Sequence, residues 1–228
     1  MKIHIYYRHA SNNNLGRSRP EWFSYEKCFQ NLLKTIEKYE NISLTLALDG
    51  NIEDDFIKIY QDKFTLFQTN NQSSIQSWRD LLMYVKGQNM KPNDLIYWVE
   101  NDYLHLDSWV NKVIELFQTY KGLDYVSLYD HNDKYFLHMY EDLVSKIITT
   151  NSHHWRTTPS TCGTYLVTRE TFDKDYDVMS TFEGDHNTFL WLNENRGRFV
   201  FTPIPGLSTH CMEGLMSPCI DWKQINNK

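Results

Sequence analysis

The sequence predicts an α/β fold, a central and mostly parallel sheet flanked by helices in a single domain, and three observations predict it. Strand-like and helix-like segments alternate through the first half of the chain, which is how parallel sheets with right-handed crossovers are built. The run Leu95-Ile96-Tyr97-Trp98-Val99 is apolar throughout, too short for a helix and rich in β-branched and aromatic residues. A strand covered on both faces reads this way. Finally, 228 residues with 41% hydrophobic and 15% aromatic content suffice for one large core.

Taken in order, Lys2–Tyr7 alternates and is the first strand, running through Arg8-His9 into the polar loop SNNNLGRSRP. Phe23, Cys28, Phe29, Leu32, Leu33 and Ile36 recur at helical spacing within Trp22–Tyr39. Ile42–Leu48 is a second strand, closed by the turn former Asp49-Gly50, with a short helix over Glu53–Tyr60 and a third strand over Phe64–Gln68. Ser73 or Ser74 caps a helix over Ile75–Lys86. Pro92-Asn93 leads into the central strand, and Asp107 is placed to cap a helix carrying Val110, Val113, Ile114 and Phe117.

The second half is less regular. Asp124–Tyr129 is a strand ending in Asp130-His131-Asn132-Asp133, Met139–Thr149 reads as partly helical with Tyr135–Met139 extended as the alternative, and Asn151–Thr161 as a polar loop. Thr164–Thr168 is a strand, Arg169–Asp175 a helix or turn, Phe182-Glu183-Gly184-Asp185-His186 the opening of a helix through Leu192, and Phe199–Pro203 the last strand. Trp22, Trp78, Trp98, Trp109 and Trp191 fall on apolar patterns and are expected in the core.

Composition excludes several classes. A net charge of −6 argues against a nucleic-acid partner. Mean hydropathy is −0.58, and no apolar run approaches the ~20 residues of a membrane helix. The N-terminus lacks an apolar leader, and Cys28, Cys162, Cys211 and Cys219 show no zinc-type spacing, so a reduced, cytoplasmic setting is expected. No GxGxxG or GxxxxGK[ST] motif is present, which disfavours dinucleotide oxidoreductases and P-loop NTPases.

The central strand ends abruptly in Glu100-Asn101-Asp102. Open α/β sheets bind ligands at the carboxyl ends of their strands, and carboxylates at i and i+2 suit a hard divalent cation. A turn with solvated acids explains the same three residues.

With these positions the chain resembles a GT-A glycosyltransferase, the nucleotide-sugar-dependent, Rossmann-like fold, over nearly its whole length in element order. Glu100-Asn101-Asp102 stands where that family has its DxD-type motif, with Glu in place of the first Asp. The resemblance implies a nucleotide-binding half at 1–106 and an acceptor-binding half at 107–228. It implies Mn²⁺ or Mg²⁺ at Asp102, with Glu100 and His210 as further ligands, and a UDP- or GDP-sugar donor along Tyr7, Arg8, His9, Asp49, Glu100 and Asn101. Mixed oxygen and imidazole ligation favours Mn²⁺ over a Ca²⁺ cage. Arg8, Arg17 or Arg79 would hold phosphate.

For an inverting transfer to a glycan-type acceptor, the same resemblance makes Asp185 the general base, with Glu183 second, or else Asp185 simply caps its helix. A helix N-terminus would lower its pKa. His210 is a metal ligand or a hydrogen-bonded structural residue. Asp130, His131 and Trp155 lie on loops whose aromatic and polar groups suit a sugar acceptor, or are plain surface loops. Two other readings stand beside this one. A nucleotidyltransferase would carry a glycine-rich loop with a lysine after the first strand, whereas this loop has only Gly16 and no lysine. A glycan- or nucleotide-binding module would keep the fold without catalysis.

Overall fold

The computed structural model describes residues 1–10, 16–71, 73–181 and 183–227. Ser11–Leu15 of the expected polar loop and Phe182 before the expected helix lie outside the described residues. A nine-stranded sheet runs in the order β3-β2-β1-β4-β9-β6-β10-β8-β7. Its first four neighbours are β3 (Thr65–Thr69), β2 (Ile42–Asp49), β1 (Ile3–Ala10) and β4 (Leu95–Glu100), all parallel. Beyond β4 the sheet is mixed. β9 (Tyr165–Thr168) is antiparallel to both β4 and β6 (Tyr125–Val126), and β10 (Val200–Ile204) is parallel to β6. β8 (His154–Thr158) and β7 (Ile147–Thr149) close that edge in antiparallel pairs.

Both faces of β1 and β4 are buried, as their apolar runs require. Ile3, Ile5 and Tyr7 of β1 and Leu95, Tyr97 and Val99 of β4 face one layer, with α1 (Tyr25–Ile36) and α4 (Trp109–Thr119) packed on it through Phe29, Leu32, Val110 and Val113. Tyr6, Ile96 and Trp98 face the other, which holds α3 (Ser74–Lys86), α5 (Arg169–Thr181) and α6 (Asp185–Arg196) through Leu82, Phe172 and Leu192. The period of two along each strand sends alternate side chains to the two layers. Each fully buried aliphatic or aromatic side chain contributes about 1.5–3 kcal/mol.

Two helix starts follow the expected capping chemistry. Ser24 and Ser73 accept hydrogen bonds from Lys27 N and Gln76 N at the starts of α1 and α3. The cap residue of α4 is Ser108 rather than Asp107, and it makes no side-chain cap bond. Trp98 and Trp109 are fully buried, as expected, while Trp22, Trp78 and Trp191 are half-buried.

Two segments differ from expectation for one physical reason. His154–Thr158 is a strand within the expected polar loop, and Arg169–Thr181 is a full helix that extends past Asp175. In each, an inward position carries a charge: Arg156 pairs with Asp130 at 2.8 Å, and Asp175 accepts from Arg198 Nε and Tyr125 Oη at 2.8 Å. Residues 139–149 hold the end of a 3₁₀ helix (His138–Tyr140), an irregular stretch and then β7, without an α-helix. A short ribbon of β5 (Tyr103–His105) and β11 (Ser208–His210) lies after β4 and pairs His210 with Tyr103.

Candidate functional site

The parallel registers bring the ends of four strands to one level. Arg8 is in register with Glu100 across β1–β4, and Ala10 with Asp49 across β1–β2. The chain steps from β1 outward to β2 and β3, then returns to β4 on the other side of β1, so the sheet has its switch point there. A cleft of about 600 Å³ opens at that point, lined by Arg8, Arg17, Asp49, Glu100, Asn101 and Asp102 among others. That volume suits a small-molecule ligand.

Asp102 is the buried centre of one side, 2% exposed. The β5–β11 ribbon carries His210 to it, Nε2 lying 2.9 Å from Oδ2, and Cys211 N donates to Asp102 O at 2.9 Å. The His210 ring stacks on Tyr103 at 5.2 Å. Arg19 Nη2 donates to the same Oδ2 at 2.6 Å and Arg17 Nη1 at 3.4 Å. Burial alone would raise this carboxyl, but His210 and Arg19 outweigh it and hold Asp102 down at about 2. Its second oxygen, Oδ1, is buried without a hydrogen-bond partner. Arg19 has no local sequence signal beyond its place in Arg17-Ser18-Arg19; only the fold joins it to Asp102.

Glu100 belongs to a second cluster. Its backbone N–H donates to Thr164 Oγ1 at 3.0 Å, and its carboxylate lies 3.7 Å from Arg8 Nη1. Arg8 stacks over Trp78 at 4.9 Å. Gly163 backs this pair closely, a Cβ there meeting Arg8 Nη1 and Glu100 Cδ at 3.2 Å. Asp185, the first residue of α6, feels the same two charges. The surrounding protein pushes its carboxyl up to about 6, Glu100 adding and Arg8 opposing. Asp185 is itself solvent-exposed at the start of α6. The direction is opposite to the helix-dipole expectation: loss of solvation and the nearby Glu100 carboxylate both disfavour the charged form.

The other expected site residues are placed differently. Tyr7 is a core residue whose hydroxyl is 3.5 Å from Asn101 O. The buried His9 ring braces two loops: Asn101 Nδ2 lies 2.9 Å from Nδ1, and Nε2 lies 2.8 Å from Asp54 Oδ2. Burial lowers the His9 pKa against the pull of Asp54, and a neutral ring protonated on Nε2 satisfies both contacts. Asp49 Oδ1 accepts from Thr69 Oγ1 and Asn71 N at 2.9 Å, ordering the loop before α3 while lining the cleft. Arg79 donates to the last carbonyls of α5, Ser180 O at 3.2 Å and Thr181 O at 3.4 Å, and sits 3.6 Å from Glu183, outside the lining of the cleft. Trp155 is fully buried, so its ring cannot stack on a sugar. Asp130 is tied to Arg156 and Tyr135, and the buried His131 contacts Thr161 Oγ1 at 3.0 Å.

The expected three-ligand metal set is divided. Asp102 and His210 are together, and Glu100 sits with Arg8. Among the described residues no group of three His, Cys, Asp or Glu could hold a metal ion. Two protein ligands still fit a cation that takes its remaining ligands from phosphate and water, and the unpartnered Oδ1 of Asp102 is an oxygen such a cation would use.

Comparison with known proteins rests on structure, since no protein-family model matches the sequence and no curated protein resembles it. CMP:2-keto-3-deoxy-manno-octonic acid synthetase, complexed with CTP, superposes with a TM-score of 0.52 at 10% identity, covering 100% of this chain and 98% of the other. A putative nucleotide-diphospho-sugar transferase from Desulfovibrio desulfuricans G20 gives 0.50 at 10% identity over 89% and 80%. The fold is that of the nucleotide-diphospho-sugar transferases. A mycobacterial protein superposes with a TM-score of 0.51 at 10% identity, over 89% of this chain and 64% of the other. Among the described residues no helix is long and apolar enough to cross a membrane.

Proposed function

We propose that the chain is a glycosyltransferase that moves a sugar from a UDP- or GDP-sugar to a glycan-type acceptor with inversion. The observation that carries this reading is Asp102: a buried carboxylate kept ionised at the switch-point cleft, beside His210, with one oxygen unpartnered. Asp102 and His210 would hold Mn²⁺ or Mg²⁺, which when bound supplies positive charge to a leaving diphosphate. Arg17 lies on the same carboxylate, lines the cleft and is placed to give charge-assisted hydrogen bonds to phosphate oxygens, while Arg19 holds Asp102 and the Cys211 carbonyl in place. Asp49 and the residues Arg8, His9 and Ala10 line the part of the cleft that a nucleoside would occupy. Asp185 accepts the proton of the attacking hydroxyl; a base poised near the working pH is effective in this role. Arg8 and Glu100 set its charge environment.

A second reading, nucleotidyl transfer from a nucleoside triphosphate, is favoured by the full-length match to the CMP-sugar synthetase, which is a likeness of fold. The loop after β1 lacks the lysine that such chemistry uses on phosphate. Calorimetric titration of UDP and GDP, each with Mn²⁺ and with EDTA, tests the proposal. Binding of one nucleotide that is lost with EDTA and in Asp102→Asn supports it. Pyrophosphate release from a triphosphate in the presence of a sugar acid supports the second reading. Binding of neither nucleotide, with or without metal, leaves a non-catalytic module.

A further inference from the structure

A second cleft, of about 490 Å³, opens between the 3₁₀ turns at 132–140 and strand β8, and the donor-side chemistry does not use it. We propose that this cleft is the acceptor subsite and that it takes a sugar bearing a carboxylate or phosphate, held by Lys134 and Arg156. The inference rests on the transferase reading, because it names the acceptor of that reaction.

Both cations line the cleft and both are more than nine-tenths buried, Lys134 7% and Arg156 6% exposed. Burying a cation is costly unless partners are at hand. Arg156 Nη2 is met by Asp130 at 2.8 Å, and Lys134 Nζ by Tyr140 Oη at 2.6 Å and Ser160 Oγ at 3.3 Å, with Asp133 at 3.7 Å. The three partners of Lys134 match its three N–H groups, so Lys134 offers the cleft its charge, whereas Arg156 keeps donors unspent. Arginine has five N–H groups and a fork that matches carboxylate or phosphate, and Arg156 Nε is buried without a hydrogen-bond partner. The acidic lining residue, Glu141, is 2.8 Å from His138 Nδ1. A neutral sugar is served by hydroxyls and amides, and gives no reason to bury two cations beside one cleft in a protein of net charge −6.

The rest of the wall suits a sugar body. Tyr135 and Phe136 line the cleft and are 55% and 56% exposed, offering aromatic faces for a C–H surface. A chain of hydrogen bonds leads from the cleft toward the proposed base. Ser160 Oγ, which accepts from Lys134, lies 2.9 Å from Nδ1 of His186, the residue after Asp185. An acceptor anchored at Lys134 would therefore extend past Ser160 toward Asp185.

The test is binding of glucuronate, glucose 6-phosphate and glucose, followed by calorimetry or ligand-observed NMR, on the wild-type chain and on Lys134→Gln, Phe136→Ala and Asp102→Asn. Nucleotide binding is measured on the same preparations. One acidic sugar should bind at least about tenfold more tightly than glucose, and which of the two does so separates carboxylate from phosphate. The preference should fall to near unity in Lys134→Gln, affinity should weaken in the rim variant Phe136→Ala, and both should persist in Asp102→Asn. Equal binding of glucose overturns the inference, as does loss in Asp102→Asn with retention in Lys134→Gln. Nucleotide binding without acidic-sugar binding removes this inference and leaves the transferase reading; the converse leaves the anion site and removes that reading.

Discussion

At the scale of single residues, Asp185 and Asp102 are carboxylates driven in opposite directions. Asp185 is raised above the usual carboxylate range, so it becomes a competent base only at a pH above that at which an ordinary aspartate ionises, and the pH–rate profile should rise later than the ordinary value of 3.8 would give. Asp185→Asn should lower kcat by about 10²–10⁴-fold. A raised carboxylate pKa means that folding disfavours the charged form, so Asp185→Asn should leave the melting temperature at pH 8 unchanged or higher. Lost activity together with a lost fold would contradict the assignment. Asp102 is lowered from 3.8 to about 2, so its contribution to stability is present above about pH 4 and lost as pH falls toward 2. Two pKa units correspond to roughly 2–3 kcal/mol. Urea unfolding at pH 5 and pH 2.5 should show that difference shrink in Asp102→Asn. These acids were legible in the sequence because each sits at a strand end or a helix start. Arg19 was not, since nothing within ten residues of it mentions Asp102, and the contact exists only once the β5–β11 ribbon and the loop after β1 meet.

At the scale of elements, caps and close approaches make the testable statements. Ser73 holds the first turn of α3 through Gln76 N, and Ser73→Ala should cost about 1 kcal/mol, read as a shift in the urea midpoint. Gly163 lies before β9, where a methyl group would press on Arg8 and Glu100 at 3.2 Å. Gly163→Ala should therefore lower kcat/KM by roughly tenfold with little change in stability, since it moves a pair beside the site rather than opening the core. Elements were readable from sequence wherever inward positions are apolar, as in β1, β4, α1 and α3. They were unreadable where inward positions hold ion pairs, as at Arg156 in β8 and Asp175 in α5. Periodicity registers hydrophobicity, and a buried charge that is satisfied by a distant partner breaks the pattern while keeping the packing. Trp155 shows the converse. Its neighbours His153, His154 and Arg156 disguise a core residue as part of a polar loop.

At the scale of the whole molecule, a ligand that binds only the folded chain stabilises all of it. At one hundred times Kd, the cognate nucleotide with Mn²⁺ should add about 2.7 kcal/mol, seen as a rise in melting temperature that EDTA removes. The sheet order has a different consequence, one that concerns how the chain is made. β4 has β1 on one side and β9 on the other, so Leu-Ile-Tyr-Trp-Val must wait for Tyr165–Thr168 before its second edge is paired. A ribosome adds some sixty residues in that interval, about 3–12 seconds at ordinary elongation rates. For that time the most apolar strand of the protein has an open edge of the kind that recruits other chains. Nascent chains halted near residue 160 should therefore aggregate or hold chaperones, while those released after β9 has emerged should not.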